Sequence, residues 1–338
     1  MRKIAEENLS ASGGIFYRLM AVIFLMFLLV AVAPAPAALS EVMASKIIVD
    51  RSGSRIIVKK PCKNIISLYG AHTENIFSLG LDAEIIGVSK KETYPPAVKD
   101  KPVFSYHDDA EKFIAAHPDL VLIRPMIARG YQQLVVKLQN AGIMVVSLQP
   151  RSIDEVYDYW RKLGVLTGRE ARAATMIEGF AEKTQYLNSL VQDIPVSQRK
   201  KVYFEAIHSK MKTFSPSSIA MFALKTAGGI NVASDTSARH GTNIAAYGKE
   251  KILSHAAEID IYLAQSGTMN RVKVNTITEE PGFKAIKAVR VGHIFIVNEQ
   301  LVSRPTLRLL QGIYEIGKLL YPESFKGVNA AAISLDLH

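Results

Sequence analysis

Two glutamates stand at the same place in two similar stretches of the chain. "EKFIAAHPDLVLI" (111–123) and "EKILSHAAEIDIYLA" (250–264) each open on a Glu-Lys pair, run through a short helical pattern and close on an apolar strand. An acid follows at the same offset in both, Asp119 after Glu111 and Glu258 after Glu250. A carboxylate in an exposed first turn is held by the helix dipole and keeps acceptor capacity for an arginine fork. The plainer alternative is that both acids only complement their own helix N-termini. A repeat this widely separated implies two related lobes, not a short-period solenoid.

A second group of candidates follows predicted strands. In open α/β sheets ligands bind beyond the carboxyl ends of the strands. Those ends carry Tyr69, His72, Lys90, Lys91, Tyr106, Arg124, Arg151, His208 and Gln265, with Arg304 and Arg308 flanking the start of the last helix. Arg124 and Arg151 could meet a ligand carboxylate or catecholate with bidentate geometry, unless one pairs with a local carboxylate or lies in solvent. Tyr69, Tyr94 and Tyr106 offer apolar bodies with polar tips suited to a flat organic chelate. Each could equally be packing, and Tyr94 in "TYPPA" reads first as a turn residue. An imidazole at His72, His107 or His208 could ligate iron or haem, although isolated histidines are more often structural. "EAIHSKMKTFSP" mixes hard and soft donors in Glu205, His208 and Met211, or is only a loop.

These residues need a scaffold, and from Lys46 onward apolar β-branched runs alternate with helical patterns, as in parallel βαβ units. "NIISLYG", "EIIGVS", "DLVLIRP" and "IMVVSLQP" read as the strands of a first lobe over 46–168, with the helix "RGYQQLVVKLQNAG" between the last two. "SIDEVYDYWRKLGVLTG" opens on a capping box, Ser152 with Glu155. A long helix over 169–192 then forms a spine. The alternation restarts in a second lobe over 200–322, through "KVYFEAI", "SPSSIAMFALKTAGG", "IDIYLAQ" and "HIFIVN", and closes on the helix "RPTLRLLQGIYEIGKLLYP". The tail, 323–338, carries no clear signal and is expected to be loosely held. The expected fold is thus α/β: two lobes, each a small mainly parallel sheet with flanking helices, joined by one long helix.

The 338 residues are 49% hydrophobic and 21% charged, an ordinary globular composition with room for two compact lobes. Forty-one Lys+Arg against thirty-one Asp+Glu favour an anionic ligand or surface. The basic residues are dispersed and no zinc finger, helix-turn-helix or aromatic RNA-binding signature accompanies them, so nucleic acid is not the expected partner. "RLMAVIFLMFLLVAVAPAPAALS" has the basic residue, apolar core and small-residue site of an export signal over 1–37. Cleavage is expected after Ala35 or Ala37, with an uncleaved membrane anchor as the alternative. No cysteine lies near that point, so acylation of the N-terminus is not expected. Cys62 is the one cysteine; it reads as a small structural residue, and no internal disulfide is available.

Taken in order, "IISLYGAHTENIFSLGL", "IIGVS", "AEKFIAAHPDLVLI", "LGVLTGREARA", "KAVRVGHIFIVN" and "VSRPTLRLLQGI" resemble the periplasmic solute-binding proteins that serve ABC importers of iron-siderophores, haem and cobalamin. The resemblance covers nearly all of the expected mature chain. It implies no catalysis and an iron chelate held between the lobes; of the strand-end candidates, Tyr69, His72, Lys91, Tyr106, Arg124, Arg151, His208 and Arg304 are expected to line that cleft, with service to the lobe's own structure as the alternative for Arg304. It further implies an inner-membrane permease with its ATPase as partners, contacted through Glu111 and Glu250, and a monomer that closes modestly about a stiff spine. Lysines in "SKKETYPP", where corrinoid-binding relatives place an aromatic residue, favour an anionic chelate over cobalamin. A direct zinc- or manganese-type binder would want a denser histidine cluster. A two-lobed tetrapyrrole chelatase would have to show turnover. No G-x-S-x-G, P-loop or H-E-x-x-H is present for other chemistry.

Overall fold

A computed structural model describes residues 45–236 and 242–335, which fall within one compact unit, Ser45–His338. The export signal expected over 1–37 lies outside the described residues.

A hairpin of β1 (Lys46–Val49) and β2 (Arg55–Val58) precedes the first lobe. That lobe runs β3 (Ile65–Ser67), α1 (Gly70–Ser78), β4 (Ile85–Ser89), β5 (Val103–Phe104), α2 (Ala110–Ala115), β6 (Leu120–Ile123), α3 (Pro125–Gly130), α4 (Gln132–Asn140) and β7 (Met144–Ser147). All neighbouring strands pair in parallel, in the order β5-β4-β3-β6-β7. Ile65, Ile66, Leu120, Val121 and Leu122 have essentially no exposed surface, as expected for strands covered on both faces. The single helix expected in "RGYQQLVVKLQNAG" is two, α3 and α4, broken at Tyr131.

Next come α5 (Ile153–Thr167) and α6 (Glu170–Ser189). Gly168, in the left-handed region at φ 67°, stops α5 and turns the chain against Pro61, which a Cβ would meet at 2.6 Å. At twenty residues α6 spans about 30 Å and packs along α5. The capping box at the start of α5 forms by half. The Ser152 side chain accepts from the Glu155 amide, but Glu155 takes the amide of Arg151 at 2.8 Å instead of that of Ser152.

The second lobe comprises β8 (Lys201–Ile207), β9 (Lys212–Phe214), α7 (Ile219–Thr226), β10 (Ile230–Asn231), β11 (Ile244–Ala246), α8 (Lys249–Ser254), β12 (Ile261–Ser266), α9 (Val274–Thr278), α10 (Lys287–Arg290), β13 (Ile294–Asn298), α11 (Glu299–Val302) and α12 (Leu309–Leu320). Its sheet is mixed: β8, β10, β12 and β13 are parallel, whereas β9, on one flank, runs antiparallel to both of its neighbours, β8 and β11. The spine helix α6 also packs on α7 and α12, so it touches both lobes.

The tail is not loosely held through residue 335. Phe325 is buried against Gly317 of α12, where a Cβ would approach its ring to 2.0 Å. α13 (Ala330–Ile333) follows, and Leu335 lies over Gly179 of the spine.

The lobes are fastened directly as well as through the spine. Glu74 of α1, 3% exposed, accepts from Arg304 Nη1 at 3.0 Å and from Arg308 Nε and Nη2 at 2.9 and 2.8 Å. Beside it, Asn75 donates to the Pro305 carbonyl at 2.8 Å and accepts from Trp160 Nε1 at 3.0 Å. Removing a buried carboxylate strands two guanidiniums without their counter-charge. Glu74→Ala is therefore expected to cost about 3–5 kcal/mol, read as a lowered urea midpoint.

Candidate functional site

Three side chains converge at the carboxyl ends of β3 and β6. Tyr69 precedes α1, and Arg124, preceding α3, lays its guanidinium over the Tyr69 ring at 4.7 Å from the centroid. Arg304 arrives from the second lobe beside Gly70, so close that a Cβ there would meet its Nη1 at 2.5 Å. Burial pushes the Tyr69 hydroxyl above its ordinary value, and the charges of Arg124 and Arg304 oppose that rise. Arg124 has no carboxylate partner among the described residues. Its Nε is buried without an acceptor, an unmet donor that costs about 1–3 kcal/mol.

A largely buried glutamate nearby in the first lobe was missed in the sequence. Glu92, just past β4, accepts from the Ser89 amide at 3.0 Å and from the Ser89 hydroxyl through Oε1, while its buried Oε2 has no partner. Burial raises its carboxyl above the ordinary range, against the pull of Ser89, Thr73 and Arg304. Its neighbours Lys90 and Lys91 drew attention as cations. Both are exposed, and Lys91 sits at φ 66°, so this tight turn holds the lysines outward and the glutamate inward.

Of the other expected residues, Tyr106 stands apart from this group at the lobe's rim. It packs with His107 and Tyr131 beside an open hollow of about 520 Å³ that Arg129 and Lys137 also line. His72 is a correction. It is fully buried, with Nε2 on the Ile123 carbonyl at 3.3 Å and Nδ1 on the Tyr159 hydroxyl at 2.7 Å. A carbonyl only accepts, so the ring proton resides on Nε2 and neither nitrogen is left for a ligand. Burial holds this imidazole neutral, down to about 3. Arg151 is a second correction, because its guanidinium is drawn to Glu155 in the first turn of the helix that follows it, at 3.1 Å. Gln265 is buried and bonded to the Ala206 carbonyl and Ser303. Arg308 joins the Glu74 clasp and stacks on Tyr94, 3.9 Å from its centroid.

His208 belongs to a buried cluster in the second lobe. Its Nδ1 donates to Glu205 at 2.7 Å; Glu205, wholly buried, also accepts from Tyr262 at 2.5 Å and from Asn270 at 3.2 Å. His208 Nε2 faces Glu280 at 3.5 Å, and Lys249 pairs with that same carboxylate. Met211 is a left-handed turn residue at φ 44° whose amide returns to the His208 carbonyl. Among the described residues no three His, Cys, Asp or Glu side chains are grouped to hold a metal ion. Cys62 is buried, its thiol pushed up to about 12.

Glu111 and Glu250 are both exposed, at the second position of α2 and of α8, two helices of six residues each. Glu111 has one loose partner, Lys137 at 3.7 Å. The companion acids do not correspond as their offsets imply. Asp119 accepts from the amides of Lys63 and Asn64, just before β3. Its counterpart is Asp260, which accepts from the amide of Lys201 at the start of β8, and not Glu258, which pairs with the Lys201 ammonium.

Two α/β lobes bridged by a helical spine, with polar groups gathered at strand ends, define a substrate-binding protein. The chain belongs to the periplasmic binding protein family, whose model matches residues 65–301. It is 27% identical over 285 residues to an uncharacterised ABC transporter substrate-binding lipoprotein, YvrC, of Bacillus subtilis, covering 82% of this chain and 86% of that one. It is 24% identical to a cobalamin-binding protein of Halobacterium salinarum, over 78% of this chain and 70% of that one. A solved structure of a possible iron-binding periplasmic solute-binding protein from Staphylococcus epidermidis superposes with a TM-score of 0.67 at 26% identity, covering 78% of this chain and all of that one. The chain is accordingly a periplasmic binding protein of the ABC transporter class.

The His208 cluster gives a pH dependence of definite sign. Bonding to Glu205 raises the imidazole above its ordinary 6.5. The stability it contributes is fully present below 6.5 and is lost as pH rises through the raised value. His208→Gln is thus expected to lower the melting temperature more at about pH 5.5 than at about pH 9, checked by thermal melts across that range.

Proposed function

We propose that this protein is exported, captures an iron chelate of the siderophore type between its lobes, and delivers it to an inner-membrane permease driven by an ATPase. The observation that carries the reading is Arg124 stacked on Tyr69, a guanidinium without a carboxylate and with a buried unmet Nε. An aromatic face beside an unneutralised cation suits a flat or rounded organic chelate with oxygen atoms on its surface. Exposed Lys210, Arg271 and Lys273 follow β8 and β12 in the other lobe, without ion-pair partners among the described residues, and add to the attraction for anionic oxygen. The name of the Halobacterium relative supports a corrinoid as the second reading.

Glu111 and Glu250 take the docking role in this reading. Their matching placement on exposed first turns leaves carboxylate oxygens for arginines of the permease. With the mature protein and ferric siderophores, haem and cobalamin as probes, retention of one coloured ligand at unit stoichiometry is the expected result. Arg124→Ala should weaken that binding by about tenfold or more, read by equilibrium titration. Glu111→Ala and Glu250→Ala should leave the titration unchanged and impair uptake through the reconstituted transporter; loss of ligand affinity instead would sink the docking assignment.

A further inference from the structure

A cavity of about 240 Å³ lies between the lobes where α1 ends. Phe77 of the first lobe, Leu310 and Tyr314 of α12 in the second, and Ile333 and Leu335 of the tail form its apolar walls. It is separate from the strand-end group. Tyr69, Arg124 and Arg304 are not among its walls, and Phe77 stands roughly 10 Å further along α1 than Gly70. Two polar groups interrupt the apolar lining beside the Glu74 clasp. Arg308 gives Nε and Nη2 to Glu74 and Nη2 also to Gln300, which leaves Nη1 uncommitted among the described residues. Thr306, 2% exposed, has a buried hydroxyl with no partner among those residues. The charge at this end is also unbalanced. Arg304 and Arg308 share the single carboxylate of Glu74 and have no other ion-pair partner among the described residues, so the clasp carries a surplus positive charge.

We infer that this cavity is a second binding site, for a small monocarboxylate with an apolar body, whose carboxylate is taken by Arg308 Nη1 and the Thr306 hydroxyl. The site does not depend on the chelate-binding reading. Its volume lies below the roughly 300–1,000 Å³ of pockets for larger organic ligands. A cavity of roughly 150 Å³ admits benzene, so this one has room for a ring or short chain with a carboxylate attached. The head group follows from the polar end. One carboxylate offsets the surplus charge, accepts from the guanidinium edge and satisfies the buried hydroxyl. A neutral alcohol leaves the charge unbalanced, and a dicarboxylate sets a second charge against the apolar walls. The walls come from both lobes and from the tail, so an occupant bridges all three and stabilises the folded chain by mass action.

The test is calorimetric titration of the mature protein with benzoate and hexanoate, set against benzyl alcohol and hexanol as neutral counterparts, with thermal melts in parallel. One equivalent of benzoate or hexanoate should bind saturably, at least tenfold more tightly than the matching alcohol, and raise the melting temperature as its concentration rises. Thr306→Val keeps the side-chain shape and removes an unpaired hydroxyl. Without ligand its melting temperature should equal or exceed the native one, while its affinity for the carboxylate falls about tenfold, which separates lost recognition from misfolding. Gln311→Trp, at an exposed position of α12 that borders the cavity, should fill the space and abolish binding. Equal affinity for acid and alcohol would overturn the inference. So would acid binding that neither variant changes, since it would then lie elsewhere on the protein. Failure of both acids to bind up to about 10 mM would leave the cavity to solvent and overturn it outright. None of these outcomes touches the chelate reading, which the titrations with ferric siderophores, haem and cobalamin decide separately.

Discussion

One buried carboxylate holds the two lobes in register. Glu74 takes three charge-assisted hydrogen bonds from two arginines that lie more than two hundred residues further along the chain. A single carboxylate has room for that number because its two oxygens offer about four lone-pair sites. The geometry is fixed on both sides: Gly70 lets Arg304 lie against α1, and Tyr94 stacks on Arg308. Tyr69 immediately precedes the same nine-residue helix, so one element carries the fastening and positions a residue of the candidate site. A shift of Arg304 relative to Glu74 is thereby a shift relative to Tyr69.

The interior behind this fastening is a closed polar network. His72, Tyr159, Asn75 and Trp160 bond to one another and to the carbonyls of Ile123, Ala71 and Pro305. Burial of four polar side chains is tolerable because each finds partners within the group. The cluster around Glu205 is built similarly, with Tyr262, Asn270 and His208 converging on one carboxylate. These networks specify which helix packs on which strand, whereas the apolar core around Trp160, Phe180 and Phe204 supplies the burial.

The lobes were legible in the sequence because strand patterning and turn signals are local. β3, β6, β8 and β12 lie within apolar runs that no other element could use, and Gly168 announces the end of α5. The antiparallel flank of β9 and β11 was not legible, since "KTF" and "IAA" are too short to show a period. Site residues were legible only as positions past strand ends. Whether such a residue faces a ligand depends on what else lies within a few ångströms of it, and that information is non-local. His72 found its partner eighty-seven residues away, whereas Arg151 pairs with Glu155 only four residues on, a contact that the local sequence already offered. Glu92 was overlooked for the converse reason: in "SKKETYPP" the lysines carry the visible charge, and only the turn reveals which side chain points inward.

The contrast between saturated and unsaturated groups separates buried residues that residue type alone would group together. Both lobes contain histidines, acids and tyrosines in buried clusters, and a search by chemistry alone would weigh them equally. Physical accounting separates them. Glu74 and Glu205 are buried carboxylates with every role filled, so they answer the question of how the chain folds. Glu92 and Arg124 are charged groups with a buried atom left over, and they share that state with seven other buried polar atoms among the described residues, His208 Nε2 included. Each atom left so costs about 1–3 kcal/mol of stability, which a hydrogen-bonding partner from outside the chain would recover.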